Sequence, residues 1–545
     1  MAPARLKSLA GCLLVLVTAS LTSALEGEWL GNDFFERTRV RPELDWDWGR
    51  TWSSMSINNQ PVTSILSTVL GTYKFTLPRL QLQRGLAYVG SATRLRRVVR
   101  QLMSRNPTKP TKIGVIGGSV SWGQGTRKRG EDDWFSVLSK WLLDAFPESN
   151  ITTRNGCTPG VPASYMILCL ELSVDPDVDL VFVEFTLNNG FEDSLAENTI
   201  VKDMERLTRR VLALPGQPAV VLMHVPTHHM ASYPRGHPKN TKNEDWHPFH
   251  WTTEDAVGAM SQYYDVQALS LRTAMYDLAV RQEREGFLWE HAFVDHHPGN
   301  QGHKFMADLA VWMLQQTALG LLQLPYGQED AEAAGAPLAG PMYPGNLPPN
   351  SSMCLLGDSF RSLVVSEASS GFDYVNEGTP EKPKPGYVAT QPGSVLRFRI
   401  DTDRTALGAQ PQDLVFVVFH YLRSYVHMGI AEFSCVSGCN CSSRRVDGHH
   451  APHVSQLYMA PLEVSQSRQC EIQATVLPET SSGEHKFKVA GLVISESAGN
   501  KGIMVNLAQG AGDYGVREHN GDVVQITFTK EGRKGGHDTG RRQRR

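Results

Sequence analysis

Between residues 113 and 316 the sequence alternates between short apolar runs and segments with helical periodicity. The apolar runs are residues 113–117, 180–185 and 219–223. Such runs are typical of strands that are buried on both faces of a sheet. Between and after them, apolar side chains recur at helical spacing from Trp134 to Ala145 and from Phe305 to Met313, and Gln316 continues the second series. Alternating strands and helices predict an α/β domain with a parallel sheet, which we place at residues 111–323.

The pattern changes after this region. Residues 324–352 are rich in Pro, Gly and Ala and have no apolar periodicity, so we predict a linker. Beyond it, apolar and polar residues alternate with a period of two at 396–400, 470–476 and 524–528. This alternation predicts half-buried antiparallel strands and a β-sandwich over residues 353–530. Residues 25–110 form an N-terminal extension in this division, and residues 531–545 form a basic, solvated tail.

Charge and composition exclude several protein classes. The 545 residues include 53 Lys and Arg against 56 Asp and Glu, which gives a formal net charge of -3. A charge this small does not predict nucleic acid or an anionic membrane as the main partner. The hydrophobic fraction of 41% and charged fraction of 20% also exclude a chain that is largely disordered.

The N-terminus has the pattern of a secretory signal peptide. Arg5 and Lys7 precede an apolar stretch at residues 9–21, and Thr22 and Ala24 are small residues suited to cleavage after position 24. We therefore predict a signal peptide at residues 1–24 and a secreted or lumenal protein, with an uncleaved signal anchor as the alternative. No stable membrane insertion is expected beyond this segment. Glycosylation sequons begin at Asn150, Asn350 and Asn440.

Cysteine usage fits an oxidising compartment. Cleavage of the leader removes Cys12 and leaves seven cysteines: Cys157, Cys169, Cys354, Cys435, Cys439, Cys441 and Cys470. An odd number leaves at least one thiol unpaired or intermolecular. The dense run from Cys435 to Cys441 could indicate a zinc site, but it has no Cys-x2-Cys pair, so we favour disulfides.

The first predicted strand leads directly into a serine flanked by glycines. Ser119 follows Gly117 and Gly118, at the carboxyl end of a parallel strand, where α/β folds place their functional sites. The glycines do not make a nucleotide-binding loop, because no Gly-Lys-Ser/Thr follows. Nor is this the Gly-x-Ser-x-Gly turn of lipases, since position 121 is Ser.

Three further segments supply the other groups that acyl transfer needs. A turn-rich loop after a predicted strand at 151–154 presents the backbone N–H of Gly160, and Asn188 follows the strand at 180–185. Asp295 and His297 lie on one loop before the last helix. A serine to attack, a histidine to take its proton, a carboxylate to orient the histidine and three donors for an oxyanion form a complete set. We predict Ser119, Gly160 and Asn188 as the oxyanion donors.

These four blocks resemble the SGNH (GDSL-like) hydrolase superfamily over residues 113–316. The family's Gly-Asp-Ser-x-Ser block corresponds to residues 117–121, with Gly118 in place of Asp. Its glycine block corresponds to residues 155–160, and its Gly-x-Asn-Asp block to 186–189, with Asn189 for the last Asp. The resemblance implies a three-layer α/β/α domain, ester hydrolysis, and functional roles for Ser119, Gly160, Asn188 and His297.

The orienting acid departs from the family pattern. The family places Asp three residues before its histidine, but Val294 stands there and Asp295 is only two residues before His297. Asp295 is our predicted acid. Glu290 or a backbone carbonyl could take its place, in the latter case leaving a Ser-His dyad.

Two other segments carry competing signals. Gly357-Asp358-Ser359, with Asp447 and His450 downstream, matches the family's strings literally, but it follows the linker in a strand-alternating region. Six histidines crowd the stretch from His224 to His250, without the His-Glu-x-x-His spacing of a zinc enzyme. We interpret that stretch as a loop over the site, with Trp246, Phe249 and Trp251 as sugar-stacking or core aromatics, and predict no metal and no cofactor.

The sequence therefore predicts a secreted serine esterase, in which Ser119 attacks an acyl carbonyl and His297 serves as base and then acid. An O-acetyl group on a glycan is the favoured substrate, and the β-sandwich is interpreted as an accessory domain, with carbohydrate as a candidate ligand. One alternative is a glycan O-acyltransferase that uses the same residues. Another is an inactive SGNH scaffold that binds glycan or protein. The oligomeric state is left open.

Overall fold

The computed structural model describes residues 56–57, 60–104, 106–189, 197–225, 254–281, 292–294, 297–350, 352–379, 383–451, 455–496, 518–519 and 522–523. The chain divides into two compact units, Met1–Pro348 and Pro349–Arg545. The predicted signal peptide, the apolar alternation at 524–528 and the basic tail lie outside the described residues. The three sequon asparagines are described, and all three are exposed.

The first unit contains eight described strands and eleven described helices. The strands are β1 (Ser56–Ile57), β2 (Gln60–Pro61), β3 (Leu86–Tyr88), β4 (Thr111–Gly117), β5 (Ile151–Asn155), β6 (Leu180–Glu184), β7 (Ala219–His224) and β8 (Gln267–Ser270). The helices are α1 (Val62–Gly71), α2 (Arg79–Arg84), α3 (Thr93–Met103), α4 (Ser119–Trp122), α5 (Trp134–Ala145), α6 (Ala163–Cys169), α7 (Thr199–Leu212), α8 (Glu254–Tyr264), α9 (Leu271–Arg281), α10 (Asn300–Gln323) and α11 (Gln328–Gly335).

Six of these strands form one sheet in the order β3-β8-β7-β6-β4-β5. All neighbours are parallel except β3, which runs antiparallel to β8. Every residue of β6 and β7 is buried, as the continuous apolar runs predict for central parallel strands. The parallel order places the carboxyl ends of β4, β5 and β6 side by side at one edge of the sheet.

Helices cover both faces of this sheet, which confirms the three-layer α/β/α prediction. On one face, Phe182 of β6 packs edge-on against Trp134 of α5, with ring centroids 5.4 Å apart. The next residue, Val183, points to the other face, where it lines a small cavity with Met204 of α7 and Val257 of α8.

Residues 69–103, which precede the predicted α/β domain, contribute to the same core. Leu77, Leu95 and Leu102 are fully buried in one apolar cluster with α10. Asp308 on α10 fastens this segment, because its carboxylate accepts hydrogen bonds from the Tyr73 hydroxyl at 2.9 Å and from the N–H of Leu77 at 2.8 Å. Of the described helices, only α10 is long and apolar enough to cross a membrane, and most of it is buried in this core.

The predicted linker is more ordered than its composition indicates. Residues 328–335 form α11, and the following segment is tied to α7. The buried carboxylate of Glu205 accepts hydrogen bonds from the Asn346 side chain at 2.6 Å and from the N–H of Tyr343 at 3.3 Å. Arg209 donates to the carbonyl of Ala339. Because these contacts are polar, the segment has no hydrophobic periodicity. The sequence pattern therefore did not indicate that the segment is ordered.

The second unit is built from strands that pair antiparallel. They are β9 (Met353–Leu356), β10 (Asp373–Asn376), β11 (Pro385–Ala389), β12 (Val395–Ile400), β13 (Val415–Arg423), β14 (Ile430–Ser437), β15 (Arg444–Asp447), β16 (Gln456–Val464), β17 (Cys470–Val476), β18 (Phe487–Glu496), β19 (Glu518–His519) and β20 (Asp522–Val523). One described helix, α12, spans Gly357–Arg361. One sheet has the order β10-β11-β18-β13-β16, with β9 also paired to β18, and another has the order β12-β17-β14-β15.

These two sheets pack face to face as a β-sandwich, which confirms the predicted class. Phe419 of β13 stacks on Phe433 of β14, in the other sheet, with ring centroids 4.5 Å apart. Buried and less buried residues alternate along β17, from Cys470 to Val476, as the period-two pattern predicts.

Disulfides take up the dense cysteine run. Cys435 is bonded to Cys441, and Cys439 to Cys470, so the preference for disulfides over zinc is confirmed. Among the described residues the free thiol is Cys157, which is buried. The odd cysteine count predicts such a residue.

Candidate active site

The candidate nucleophile lies in the turn between β4 and α4. Gly117 ends the strand, and Ser119 begins the helix at this edge of the sheet and is half-buried. The turn is closed by hydrogen bonds from the N–H of Trp122 to the carbonyl of Gly118 at 3.0 Å and from Gln124 to that of Ser119 at 3.0 Å.

Gly118 is required by its contact with Asn188. A Cβ at position 118 would lie 1.8 Å from Oδ1 of Asn188, far inside van der Waals contact. An Asp at this position, as in the SGNH pattern, cannot coexist with this placement of the Asn188 side chain. Glycine at position 118 therefore allows the Asn188 side chain to lie directly against the backbone next to Ser119.

His297 reaches the candidate nucleophile from the loop before α10. Its Nε2 lies 2.8 Å from Oγ of Ser119, and only 7% of the residue is exposed. The loop fits closely against the turn after α4, because a Cβ on Gly125 would lie 2.3 Å from the carbonyl oxygen of Pro298. Gly125 also has a φ of +93°, which favours glycine.

The candidate acids lie outside the described residues. This holds for both Asp295 and Glu290. Val294, at the position where the family has Asp, is 68% exposed, and its N–H donates to the carbonyl of His297 at 3.0 Å.

The predicted oxyanion donors come from the neighbouring strand ends. Asn188 follows β6, is 4% exposed and lies against Gly118 next to Ser119. Gly160 belongs to the loop after β5 and has a φ of +79°. That loop is tied to the nucleophile turn by a hydrogen bond from the N–H of Thr158 to the carbonyl of Gly117 at 3.0 Å.

Asn189, the second departure from the family pattern, has a structural contact of its own. Its side-chain oxygen accepts a hydrogen bond from the N–H of Ala163 at 2.9 Å, at the start of α6. An amide oxygen supplies the same acceptor there as a carboxylate oxygen, so Asn is a conservative replacement at this position.

A buried carboxylate under the site was not predicted. Glu184, the last residue of β6, is fully buried, and Oε2 lies 3.2 Å from Oγ of Ser121. Burial raises the pKa of Glu184 to about 7, although hydrogen bonds from Ser121 and Thr186 oppose the shift. The available signal was a single charged residue within the apolar run at 180–185.

His303 in α10 was also missed. The N–H of Trp134 donates to its Nδ1 at 3.3 Å, so its Nε2 carries the proton toward the carbonyl of Gln124, also at 3.3 Å. Burial lowers the pKa of His303 to about 4, which keeps it neutral. It joins the start of α5 to the loop that faces His297.

The literal Gly-Asp-Ser segment has a different role. Ser359 lies in α12 of the second unit, where its hydroxyl donates to the carbonyl of Leu356 at 2.7 Å and accepts from the N–H of the same residue at 3.2 Å. Asp358 is almost fully exposed and pairs with Arg361. These contacts are typical of a serine at the start of a helix, not of a reactive serine.

Most of the histidine-rich stretch lies outside the described residues, as do Trp246, Phe249 and Trp251. His224 ends β7 and is buried, and burial lowers its pKa to about 4. In the part of the chain that the structure describes, the one group with metal-ligand spacing is Cys435, Cys439 and Cys470, and all three are in disulfides.

Two solved structures of a two-domain esterase active on acetylated mannans are similar to this chain. The one co-crystallized with mannopentaose gives a TM-score of 0.53 at 16% sequence identity, covering 76% of this chain and 98% of the esterase. The other gives 0.54 at 17% identity, covering 76% and 99%. No protein-family model matches the sequence, and no curated protein matches it. At this level of identity the similarity shows the fold, so this chain has the fold of a two-domain esterase, with an α/β unit followed by a β-sandwich.

Proposed function

We propose that this protein is a serine ester hydrolase whose site lies at the carboxyl edge of the sheet of the first unit. The observation that carries the proposal is the 2.8 Å contact between Nε2 of His297 and Oγ of Ser119. A histidine at hydrogen-bond distance from a serine hydroxyl is the arrangement that activates serine as a nucleophile. Buried Asn188 next to Ser119 adds a donor for the negative charge that develops on the carbonyl oxygen.

The reaction follows from these groups in two stages. Oγ of Ser119 forms a bond to the acyl carbon while its proton moves to Nε2 of His297. The negative charge on the former carbonyl oxygen is stabilised by the N–H groups of Ser119 and Gly160 and by the Asn188 amide. When this intermediate collapses, the bond to the alcohol oxygen breaks and His297 gives its proton to the departing alcohol.

Water completes the second stage. His297 takes a proton from water, the hydroxide oxygen bonds to the acyl carbon, and collapse returns the proton to Oγ of Ser119 and releases the acid. In this proposal Asp295 orients the imidazole through its other nitrogen. Glu290 is the alternative acid, and a Ser-His dyad the alternative arrangement.

For the substrate, we propose an O-acetyl group on a glycan. Support comes from the fold shared with an esterase active on acetylated mannans, and from the second unit, a β-sandwich that we propose as an accessory glycan-binding domain. Disulfides in that unit and the leader-like N-terminus support a secreted protein.

The test is release of acetate from p-nitrophenyl acetate and from acetylated mannan by the wild type and by Ser119→Ala. We expect the wild type to turn over both substrates and Ser119→Ala to turn over neither. Transfer of acetyl to an added sugar in preference to water would instead indicate an acyltransferase. If the folded wild type neither turns over an ester nor reacts with a fluorophosphonate, the hydrolase proposal is wrong.

A further inference from the structure

The three predicted oxyanion donors come from three separate strand ends, and one buried residue, Ser121, contacts the last residues of the two strands that lead to Gly160 and Asn188. Ser121, which is fully buried, lies in α4, two residues after the predicted nucleophile. Its Oγ lies 3.2 Å from Oε2 of Glu184, at the end of β6, and its carbonyl oxygen accepts a hydrogen bond from Nδ2 of Asn155 at 2.8 Å.

Asn155 extends this network into the loop that bears Gly160. While its Nδ2 donates to Ser121, its Oδ1 accepts from the N–H of Cys157 at 3.1 Å. One planar amide therefore joins the nucleophile turn to the loop after β5, and fixes the direction in which that loop leaves the strand.

Glu184 extends the network into the loop that bears Asn188. Its Oε1 accepts a hydrogen bond from the N–H of Thr186 at 3.1 Å, two residues before Asn188. The Trp134 indole N–H donates to Oγ of Ser121 at 3.0 Å. Because that bond uses the hydroxyl as an acceptor, the Ser121 proton is available for Glu184.

This network costs stability. Glu184 is a carboxylate with no exposed surface, at the end of an otherwise apolar strand, and among the described residues the groups that act on its pKa are the neutral Ser121 and Thr186. An apolar residue of similar size avoids the desolvation penalty that such a group carries. An apolar core is stable without a buried acid. The presence of Glu184 beside the candidate site therefore points to a function in that site.

We propose that Ser121, Glu184 and Asn155 are positioning residues for the hydrolysis: they hold the N–H groups of Ser119 and Gly160 and the amide of Asn188 at the spacing that an oxyanion requires. The inference rests on the proposed function. The physical reason is that oxyanion donors act only when they are fixed in advance, since a small displacement weakens them in the transition state more than in the bound substrate.

The test compares kcat and KM for p-nitrophenyl acetate, together with the thermal midpoint, in variants of the network. Ser121→Ala and Asn155→Ala are expected to lower kcat about 10- to 100-fold and to change KM by less than about threefold. Ser139→Ala is the matched control, because its hydroxyl donates only to the carbonyl of Phe135 in α5. The half-buried Asn155 provides a second variant in case the buried Ser121 variant does not fold.

Two further measurements separate positioning from general destabilisation. The side-chain amide of Glu184→Gln can still accept a hydrogen bond from the N–H of Thr186 and donate one to Oγ of Ser121, so this variant is expected to keep kcat within about threefold of the wild type. Glu184→Ala can do neither, so its kcat is expected to fall by more than about threefold. In an Asn188→Ala background, Ser121→Ala is expected to cost less than it does in the wild type, because part of its effect acts through Asn188.

The outcomes distinguish this inference from the proposed function. An active wild type whose Ser121→Ala and Asn155→Ala variants keep kcat, or lose only thermal stability as Ser139→Ala does, overturns the positioning role and leaves the hydrolase in place. Fully additive effects of Ser121→Ala and Asn188→Ala also overturn it. A folded wild type with no turnover overturns both.

Discussion

Ser119 and Ser359 each follow a glycine-containing turn, but their structural surroundings differ. Ser119 follows a parallel strand in which every residue but Lys112 is buried, and its Oγ lies 2.8 Å from Nε2 of His297. Ser359 follows a short edge strand of a β-sandwich, and its hydroxyl is used by the backbone of Leu356. The segment at 357–359 is the better match to the family's Gly-Asp-Ser string, yet of these two serines it is Ser119 that lies beside a histidine. The neighbouring strands and loops, not the tripeptide, determine which of the two serines lies beside a histidine.

The largest expected effect separates the two serines directly. Ser119→Ala removes the nucleophile and is expected to lower kcat about 10⁴-fold or more. Ser359→Ala removes only a hydrogen bond at the start of α12 and is expected to leave kcat unchanged, with a loss of about 1 kcal/mol in the stability of the second unit at most. Initial rates with p-nitrophenyl acetate measure the first effect, and thermal unfolding measures the second. Equal activity of the two variants contradicts the comparison.

The next effect concerns Asn188, the predicted oxyanion donor next to Ser119. Asn188→Ala is expected to lower kcat about 10²- to 10³-fold with little change in KM, because the amide acts on charge that develops in the transition state. Asn346→Ala, which removes a buried amide bonded to Glu205 in the same unit, is the control for lost packing. A rise in KM at constant kcat would place Asn188 in substrate binding instead.

The glycines of the two turns give a smaller contrast. Gly118→Ala forces a Cβ into Asn188 and is expected to lower kcat about 10- to 100-fold. Gly357 has open space around its Cα but a φ of +56°, so Gly357→Ala is expected to cost about 1–2 kcal/mol of stability and no activity. Kinetics and thermal unfolding of both variants test this. Wild-type activity in Gly118→Ala would contradict the close approach of Asn188.

The two units also differ in the pH dependence of their stability, to which Glu184 and Asp403 contribute with opposite signs. Burial raises the pKa of Glu184 from 4.5 to about 7, so its contribution to stability is present below pH 4.5 and is lost as the pH rises through about 7, by up to roughly 3 kcal/mol. Hydrogen bonds from Thr405 lower the pKa of Asp403, in the second unit, from 3.8 to about 2. Its contribution is present above pH 3.8 and is lost as the pH falls through about 2.

Unfolding of the wild type, Glu184→Gln and Asp403→Asn as a function of pH measures both contributions. Relative to the wild type, Glu184→Gln is expected to gain stability between pH 4.5 and 7, whereas Asp403→Asn is expected to differ from the wild type above about pH 4 and to converge with it in stronger acid. A pH-independent difference between Glu184→Gln and the wild type would contradict the buried, titrating carboxyl.

The sequence predicted those parts of the molecule that depend on apolar periodicity. The runs at 113–117, 180–185 and 219–223 became β4, β6 and β7, and the alternation at 470–476 became β17. Because the ends of parallel strands meet at one edge, the neighbourhood of Ser119 and Asn188 could be predicted as well. The pairing of Ser119 with His297 could be predicted only from the family motif. The two residues are 178 positions apart, and nothing in the local sequence pattern brings them together.

What the sequence did not predict depends on polar contacts between distant residues. The bonds of Glu205 to the segment after α11 and of Glu184 to Ser121 use single side chains, which leave no repeat in the sequence. Gly118 was noted only as a departure from the family block, because its contact with Asn188 is visible only in three dimensions. The acid that orients His297 stays a prediction.

Mapping the site of covalent modification by a fluorophosphonate tests the central claim most directly. After reaction of the folded protein, proteolysis and mass spectrometry would identify the modified residue. We expect a single adduct on the peptide that contains Ser119, and its loss in His297→Ala, because the reagent reacts with a serine that an adjacent base has activated. An adduct on Ser359, or none at all on either serine, would contradict the assignment of Ser119 as the nucleophile.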